Sequence, residues 1–169
     1  MIHKIGLGGG CHWCTEAVFL SLKGVLSVAQ GWIASDYENS SFSEAIVLEY
    51  ESDVIPIDVL IAVHVHTHSA TSKHSMRGKY RSAIYYFTVE DRDLALASLY
   101  GLQHEFDAPL ITQVLPFMDF KLNIAEQLNY YYTDPLRPFC QTYIDPKIKM
   151  LLEKFSNNVD RDKVSFKLL

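Results

Sequence analysis

The sequence predicts an α/β protein, a two-layer ferredoxin-like sandwich with helical additions toward the C-terminus. Three observations carry that expectation. The apolar segments follow the order strand, helix, strand, strand, helix, strand before the additions begin. Glycine and proline punctuate the junctions. The 169 residues, 49% hydrophobic and 21% charged, suit one domain able to bury a core. One unit over residues 1–155 is expected, followed by a polar tail over 156–169 that frays.

Ile2 to Leu7 reads as a short strand running into Gly8-Gly9-Gly10. Thr15 to Leu22 carries Ala17, Val18, Leu20 and Leu22 as a modest helical signal, which Gly24 ends. Val25 to Ile33 and Glu44 to Glu51 read as strands, the second rich in Ile, Val and Tyr. Pro56 suits the first turn of a helix reaching about Val65, with Ser52 or Asp53 near enough to cap it. Ser82 to Thr88 is the next strand. Glu90 to Phe106 is the longest helical candidate, with Leu94, Ala97, Leu99 and Leu102 on its apolar face. Leu110 to Leu115 is a late strand, and Ile124 to Tyr132 and Pro146 to Phe155 are helices around a loop that holds Cys140. This order says little about chemistry, because the fold hosts many functions.

A net charge of -5 gives no reason to expect nucleic acid or an anionic membrane as partner. The basic cluster Lys73, Arg77, Lys79, Arg81 reads as a solvated loop rather than a binding patch. The opening MIHKIGLGGG lacks the apolar core of a secretory signal, and no run approaches the ~20 apolar residues that span a bilayer. A cytoplasmic location is therefore expected, where structural disulfides are rare. Three cysteines there point to redox chemistry, metal binding or ordinary burial, and the odd count favours function over a static framework.

The informative stretch is Gly8-Gly9-Gly10-Cys11-His12-Trp13-Cys14-Thr15-Glu16-Ala17. Glycines between a strand and a helix let backbone amides approach a bound group. A cysteine opening that helix meets the positive end of the dipole and exposed N–H groups, which favour its thiolate. Such a thiolate attacks electrophilic sulfur or carbon. The bland alternative, a small cysteine buried in a turn, leaves Cys14 three residues on unexplained. A bare C-x-x-C is also shared with thioredoxin-like disulfide oxidoreductases and with zinc sites. Zinc would need two further ligands from His12, Cys140 or the histidines 64, 66, 68 and 74, and no recognisable ligand frame supplies them. No metal is expected. His64, His66 and His68 fall at a predicted helix end and read as exposed caps.

Gly9-Gly10-Cys11-His12-Trp13-Cys14-Thr15-Glu16-Ala17 resembles the signature of the A-type peptide methionine sulfoxide reductases, Gly-Cys-Phe-Trp-Gly or Gly-Cys-Phe-Trp-Cys followed by Glu and a small residue. Leu22-Lys23-Gly24-Val25, Ser43-Glu44-Ala45-Ile46, Tyr80-Arg81-Ser82-Ala83-Ile84-Tyr85, Ile111-Thr112-Gln113-Val114-Leu115-Pro116 and Pro138-Phe139-Cys140-Gln141 are similar to further blocks of that family, in order, over roughly residues 4 to 155. The chain departs from the pattern at His12, where Phe is usual, and at Lys79, where Gln is usual. The family's acidic residue before Tyr80 appears as Ser75 or His74, and its further pocket tyrosine has only Tyr37 or Trp32 as candidates.

The resemblance implies reduction of methionine S-sulfoxide, free or in peptides and proteins. Cys11 would attack the sulfur, and Glu44 would deliver a proton if its pocket holds it protonated. Tyr80 would donate a hydrogen bond to the sulfoxide oxygen, and His12, Trp13, Trp32 and Tyr37 would form the substrate pocket. Taken alone, Glu44 reads more readily as a strand-end surface carboxylate, and Tyr80 and Trp13 equally as core aromatics. A sulfenic acid on Cys11 would be resolved by Cys14 or Cys140, and the disulfide recycled by an external dithiol, thioredoxin or dithiothreitol. No nicotinamide or flavin fingerprint is present, and no cofactor is expected. The expectation from residues alone that stays in competition is a thioredoxin-like disulfide oxidoreductase using Cys11 and Cys14.

Overall fold

The structure is a computed structural model and describes residues 1–164. Strand β1 (Ile2–Gly8) leads into helix α1 (His12–Leu20), then β2 (Val25–Ala34), β3 (Ser43–Glu51), α2 (Ile57–His66) and β4 (Ala83–Tyr86). These six elements are the ferredoxin-like core, and their strands lie antiparallel in the order β4-β1-β3-β2. Helix α3 (Val89–Leu102) then carries the chain to β5 (Gln113–Pro116), which pairs parallel to β4 at one edge. Strand β6 (Asp119–Leu122) pairs with β2 at the opposite edge.

Only Phe117 and Met118 join β5 to β6, although the two strands bound opposite edges of the sheet. So short a link spans at most about 10 Å, so the sheet must coil until its edges approach at that end. Phe117 donates its amide to Tyr86 O and Met118 to Ala34 O, which pins the crossing to both edges. Strand β6 was not anticipated from the sequence. Its four residues alternate too briefly to stand out, and its partner is almost ninety residues earlier.

Alternation along the strands sorts the core. Ile5, Leu7, Ile46, Leu48, Tyr50 and Ile84 face the helices and pack with Val18, Phe19, Leu60 and Ile61. Ile33, Ala45, Ala83 and Tyr85 face the other way, with Val47, Leu115, Phe117 and Phe120 against them. Each fully buried Leu or Ile contributes roughly 1.5–3 kcal/mol relative to exposure. Glu44 has the parity of Ile46 and Leu48, so it points into the helical layer.

Several local expectations are corrected. Helix α1 begins at His12, with Cys11 as its N-cap, three residues before the apolar signal starts. Pro56 is itself the N-cap of α2, and no side chain caps that end; Ser52 and Asp53 bond Met1 instead. On α3 the buried positions are Asp91 and Ala95, while Leu94 is 51% exposed. The segment expected to be one helix over Ile124 to Tyr132 is a 3-10 turn (Ala125–Gln127) and a single α turn, α4 (Tyr130–Thr133), separated by left-handed Asn129 (φ 52). Cys140 is not on a loop. It starts a π turn (Cys140–Ile144) that runs into α5 (Asp145–Lys154) and is wholly buried.

Beyond Phe155 the chain is held, as far as it is described. Val159 bridges Leu22, Lys23 and Asp160 exchange backbone bonds with Asn158 and Ser21, and Val164 is buried. Residues 165–169 of the expected tail lie outside the described residues. Among the described residues, no helix is long and apolar enough to cross a membrane.

Candidate active site

Antiparallel pairing brings the C-terminal end of β1 beside the N-terminal ends of β3 and β4, with Gly8 opposite both Ala45 and Ala83. Gly9 and Gly10 then lift the chain off the sheet into α1. At Gly9 the backbone passes so close to His68 that a Cβ would meet its ring at 2.4 Å. Glycine is required there for approach.

Cys11, partly exposed at the α1 N-cap, has a lowered pKa. The Cys14 thiol donates a hydrogen bond to its sulfur, the backbone N–H groups of Trp13 and Cys14 add to this, and burial opposes it. Cys14, 5% exposed, is raised because its proton is engaged by Cys11 and its site is desolvated. The asymmetry assigns thiolate to Cys11 and thiol to Cys14. Cys11, Cys14 and Cys140 are all free of disulfides. Cys140 belongs to the same core cluster as Cys14, and its sulfur lies 3.7 Å from Asp134 O.

A cavity of about 290 Å³ opens beside Cys11, lined also by Gly9, Gly10, His68, Ser69, His74, Met76, Tyr80 and Lys147. A larger hollow of about 410 Å³ lies next to it, past His74 and Arg77. It holds no thiol, so the chemistry belongs to the smaller one. Tyr80 is placed by its neighbours: Ser43 and Glu44 both bond Lys79 O, and the Arg81 amide donates to Ser43 Oγ at 2.7 Å. Lys79 Nζ stands 5.1 Å from the Tyr80 ring centroid.

Glu44 is buried at 6% exposure, not a surface carboxylate. Its Oε1 accepts from the His12 amide and faces His12 Nε2, each at 3.3 Å, and its Oε2 lies 3.6 Å from Lys79 Nζ. Of the expected pocket residues, none lines the cavity beside Cys11. His12 is buried, with Trp32 packed edge-on at 5.1 Å. Trp13 is stacked on Tyr130 at 4.0 Å, and Arg137 covers that tyrosine at 4.2 Å. Tyr37 is 90% exposed on a turn with φ 47.

The structure adds residues that sequence reasoning missed. Lys147 reaches the cavity from α5 and bonds Thr67 O; burial lowers its pKa, and the nearby Cys14 and Cys11 work against that. Its signal was present, since it interrupts the buried series Ile144, Ile148, Leu151 at helical spacing. His64 and His68 are not exposed caps. His64 Nε2 donates to Gly8 O at 2.7 Å, and His68 donates from Nδ1 to His64 O while Nε2 accepts from Ser82 Oγ at 2.8 Å. Of the basic cluster, Lys73 and Lys79 are exposed as expected, but the two arginines are not solvated. Arg77 donates to the carbonyls of Gly9, Ser69, Ser72 and Tyr80, and Arg81 is buried against Tyr85 and Ser41. Among the described residues, no three His, Cys, Asp or Glu side chains converge as metal ligands.

A thiolate and a phenol at one cavity, with a thiol one helical turn behind and a buried carboxyl against His12, suit nucleophilic attack on a polarised sulfur. The sequence model of the peptide methionine sulfoxide reductase family matches residues 3–159. A peptide methionine sulfoxide reductase MsrA of Psychrobacter cryohalolentis is 30% identical, covering 92% of this chain and 97% of its own. The fold is that of Mxr1 from Saccharomyces cerevisiae in reduced form, with a TM-score of 0.74 at 18% identity over 84% of this chain and 91% of the other. Mxr1 in complex with Trx2 matches with a TM-score of 0.61 at 19% identity, over 75% and 83%.

Proposed function

The chain belongs to the peptide methionine sulfoxide reductase family, and on that premise we propose that it reduces methionine S-sulfoxide, free or in peptides and proteins, to methionine. Cys11 thiolate attacks the sulfoxide sulfur, Glu44 supplies a proton, and Tyr80 hydrogen-bonds the oxygen. Methionine leaves, and Cys11 carries a sulfenic acid. The Cys14 thiol condenses with it, releasing water and forming a Cys11–Cys14 disulfide, with Cys140 available to carry the disulfide onward. The observation that carries this reading is Cys11 at the α1 N-cap with Cys14 one helical turn on, beside the cavity that Tyr80 lines. A resolving thiol already in contact needs no loop motion.

Recycling calls for an external dithiol, thioredoxin in the cell or dithiothreitol in the assay, and no further cofactor. The complex of Mxr1 with Trx2 supports a protein partner of that kind. A reducing compartment, the cytoplasm, keeps all three thiols available between turns. The domain responsible is the unit over 1–155, to which residues 156–164 pack back. Disulfide exchange through Cys11 and Cys14 alone is not favoured, because it has no use for the buried Glu44 or for Tyr80. Turnover of the separate S and R epimers of a methionine sulfoxide peptide with dithiothreitol tests the reading. The S epimer is expected to be consumed and the R epimer left. Equal rates, or preference for R, would remove it.

A further inference from the structure

Two of the departures from the family pattern, His12 for Phe and Lys79 for Gln, meet at one carboxylate. His12 Nδ1 lies 2.8 Å from Gly31 O. A carbonyl only accepts, so Nδ1 carries a hydrogen and donates it. Nε2 faces Glu44 Oε1 at 3.3 Å, with the two side chains 6% and 7% exposed. With so little water to intervene, two bare acceptors or two donors facing each other would be costly. Either Nε2 carries the second imidazole proton and Glu44 is a carboxylate, or Nε2 is bare and Glu44 is an acid donating to it.

We propose that His12 and Glu44 jointly hold one exchangeable proton, and that this proton is the one delivered to the sulfoxide oxygen. The inference rests on the sulfoxide-reductase reading above. His12 is a positioning residue, loading Glu44 without touching substrate. Lys79 holds the second carboxylate oxygen from the exposed side.

The stoichiometry fits one proton. Cys11 thiolate, a neutral sulfoxide and one proton give a sulfenic acid on Cys11 and methionine. The Cys11 sulfur loses two electrons and the methionine sulfur gains two; the substrate S–O bond breaks as the Cys11 S–O bond forms. The pair, left one proton short, is reloaded from solvent. While loaded it is neutral overall, which matters because a bare Glu44 charge opposes the neighbouring thiolate. The other charged or titratable groups around the pair are Cys11 and Glu16 from α1, Lys79 and Tyr80 before β4, and Lys121 of β6 over the Trp32 ring. Strand β2 presents the Gly31 carbonyl and Trp32.

The test is single-turnover methionine release against pH in wild type, His12→Phe and His12→Asn. Iodoacetamide alkylation of Cys11 over the same range reads the thiol separately. An imidazole–carboxyl pair keeps its last proton to higher pH than a carboxyl alone, so the alkaline limb should move down by about one pH unit or more in His12→Phe. His12→Asn still donates to Gly31 O but has no titratable nitrogen, so it should follow Phe. An Asn variant with the wild-type limb would show a purely structural role and overturn the proposal. In wild type, ¹⁵N spectra should show His12 Nδ1 protonated throughout and Nε2 changing state across the kinetic limb. An Nε2 signal that does not move there would overturn it whatever the variants do. Wild type releasing no methionine would instead remove the reductase reading on which the proposal rests.

Discussion

The first test at the scale of the residue concerns two thiols in one turn of helix with unequal duties. Cys11 has the N-cap, the backbone N–H groups and the donated hydrogen of Cys14; Cys14 is 5% exposed and holds its proton. Cys11→Ser is therefore expected to abolish methionine release even in a single turnover, whereas Cys14→Ser should still release one equivalent. Quantifying methionine after one equivalent of S-sulfoxide checks both, and release by the Cys11→Ser protein would contradict the assignment. The thiols were legible in the sequence because Gly-Gly-Cys-x-x-Cys at a strand-to-helix junction already says which sulfur meets the dipole. The state of Glu44 was not, because its burial depends on His12 and Lys79, thirty or more residues away in either direction. Alternation could place Glu44 on a face but not say what would cover it.

Among the elements, the segment after β6 was the least legible and matters most to the second resolving thiol. Glu16 of α1 is 2% exposed, and its two oxygens accept from the Asn129 and Tyr130 amides at 2.9 and 3.0 Å. Burial raises its pKa and those two bonds oppose that. The contact fixes left-handed Asn129, starts α4, and holds Tyr130 against Trp13. Nothing local in the sequence announces it, since the acceptor precedes the donors by more than a hundred residues. Removing Glu16 takes the acceptor from two part-buried N–H groups, at about 1–3 kcal/mol each. Glu16→Ala should thus lower stability by on the order of 2–5 kcal/mol in urea unfolding. It should also open the chain between 128 and 140 to limited proteolysis. An unchanged midpoint and cleavage pattern would show that the segment is held otherwise. The first three strands, by contrast, were legible nearly to the residue, because hydrophobic alternation and β-branched residues are local signals; β4 is shorter than expected, and β5 begins three residues later. Strand β6 escaped for want of length.

The whole molecule carries a pH dependence that begins at α2. His64 is 2% exposed, and burial pushes its pKa down to about 4, partly offset by its bond to Gly8 O. His68 is lowered in the same direction, chiefly by burial. A histidine depressed in the folded state binds protons more readily when unfolded, so its contribution is fully present above pH ~6.5. It is lost as pH falls through the window down to about 4. For His64 the loss is on the order of 3 kcal/mol across that window. Wild type should therefore lose stability faster than His64→Asn on acidification from pH 7 to 4, the gap in urea midpoints narrowing as it goes. Parallel curves would show that His64 takes up its proton equally in both states. The ferredoxin-like order was legible at this scale, whereas the coiling that joins β5 to β6 and the closing of the chain onto Leu22 depend on pairings across the whole sequence.

The relay from Cys11 to Cys14 is read most directly in the Cys140→Ser protein. Reduced protein is mixed with one equivalent of methionine S-sulfoxide peptide, quenched in acid and mapped by mass spectrometry. One methionine per chain and a Cys11–Cys14 disulfide formed at close to the wild-type rate are the predicted result. A sulfenic acid persisting on Cys11 would contradict it, placing the first resolving thiol at Cys140 and leaving the adjacent pair unable to close.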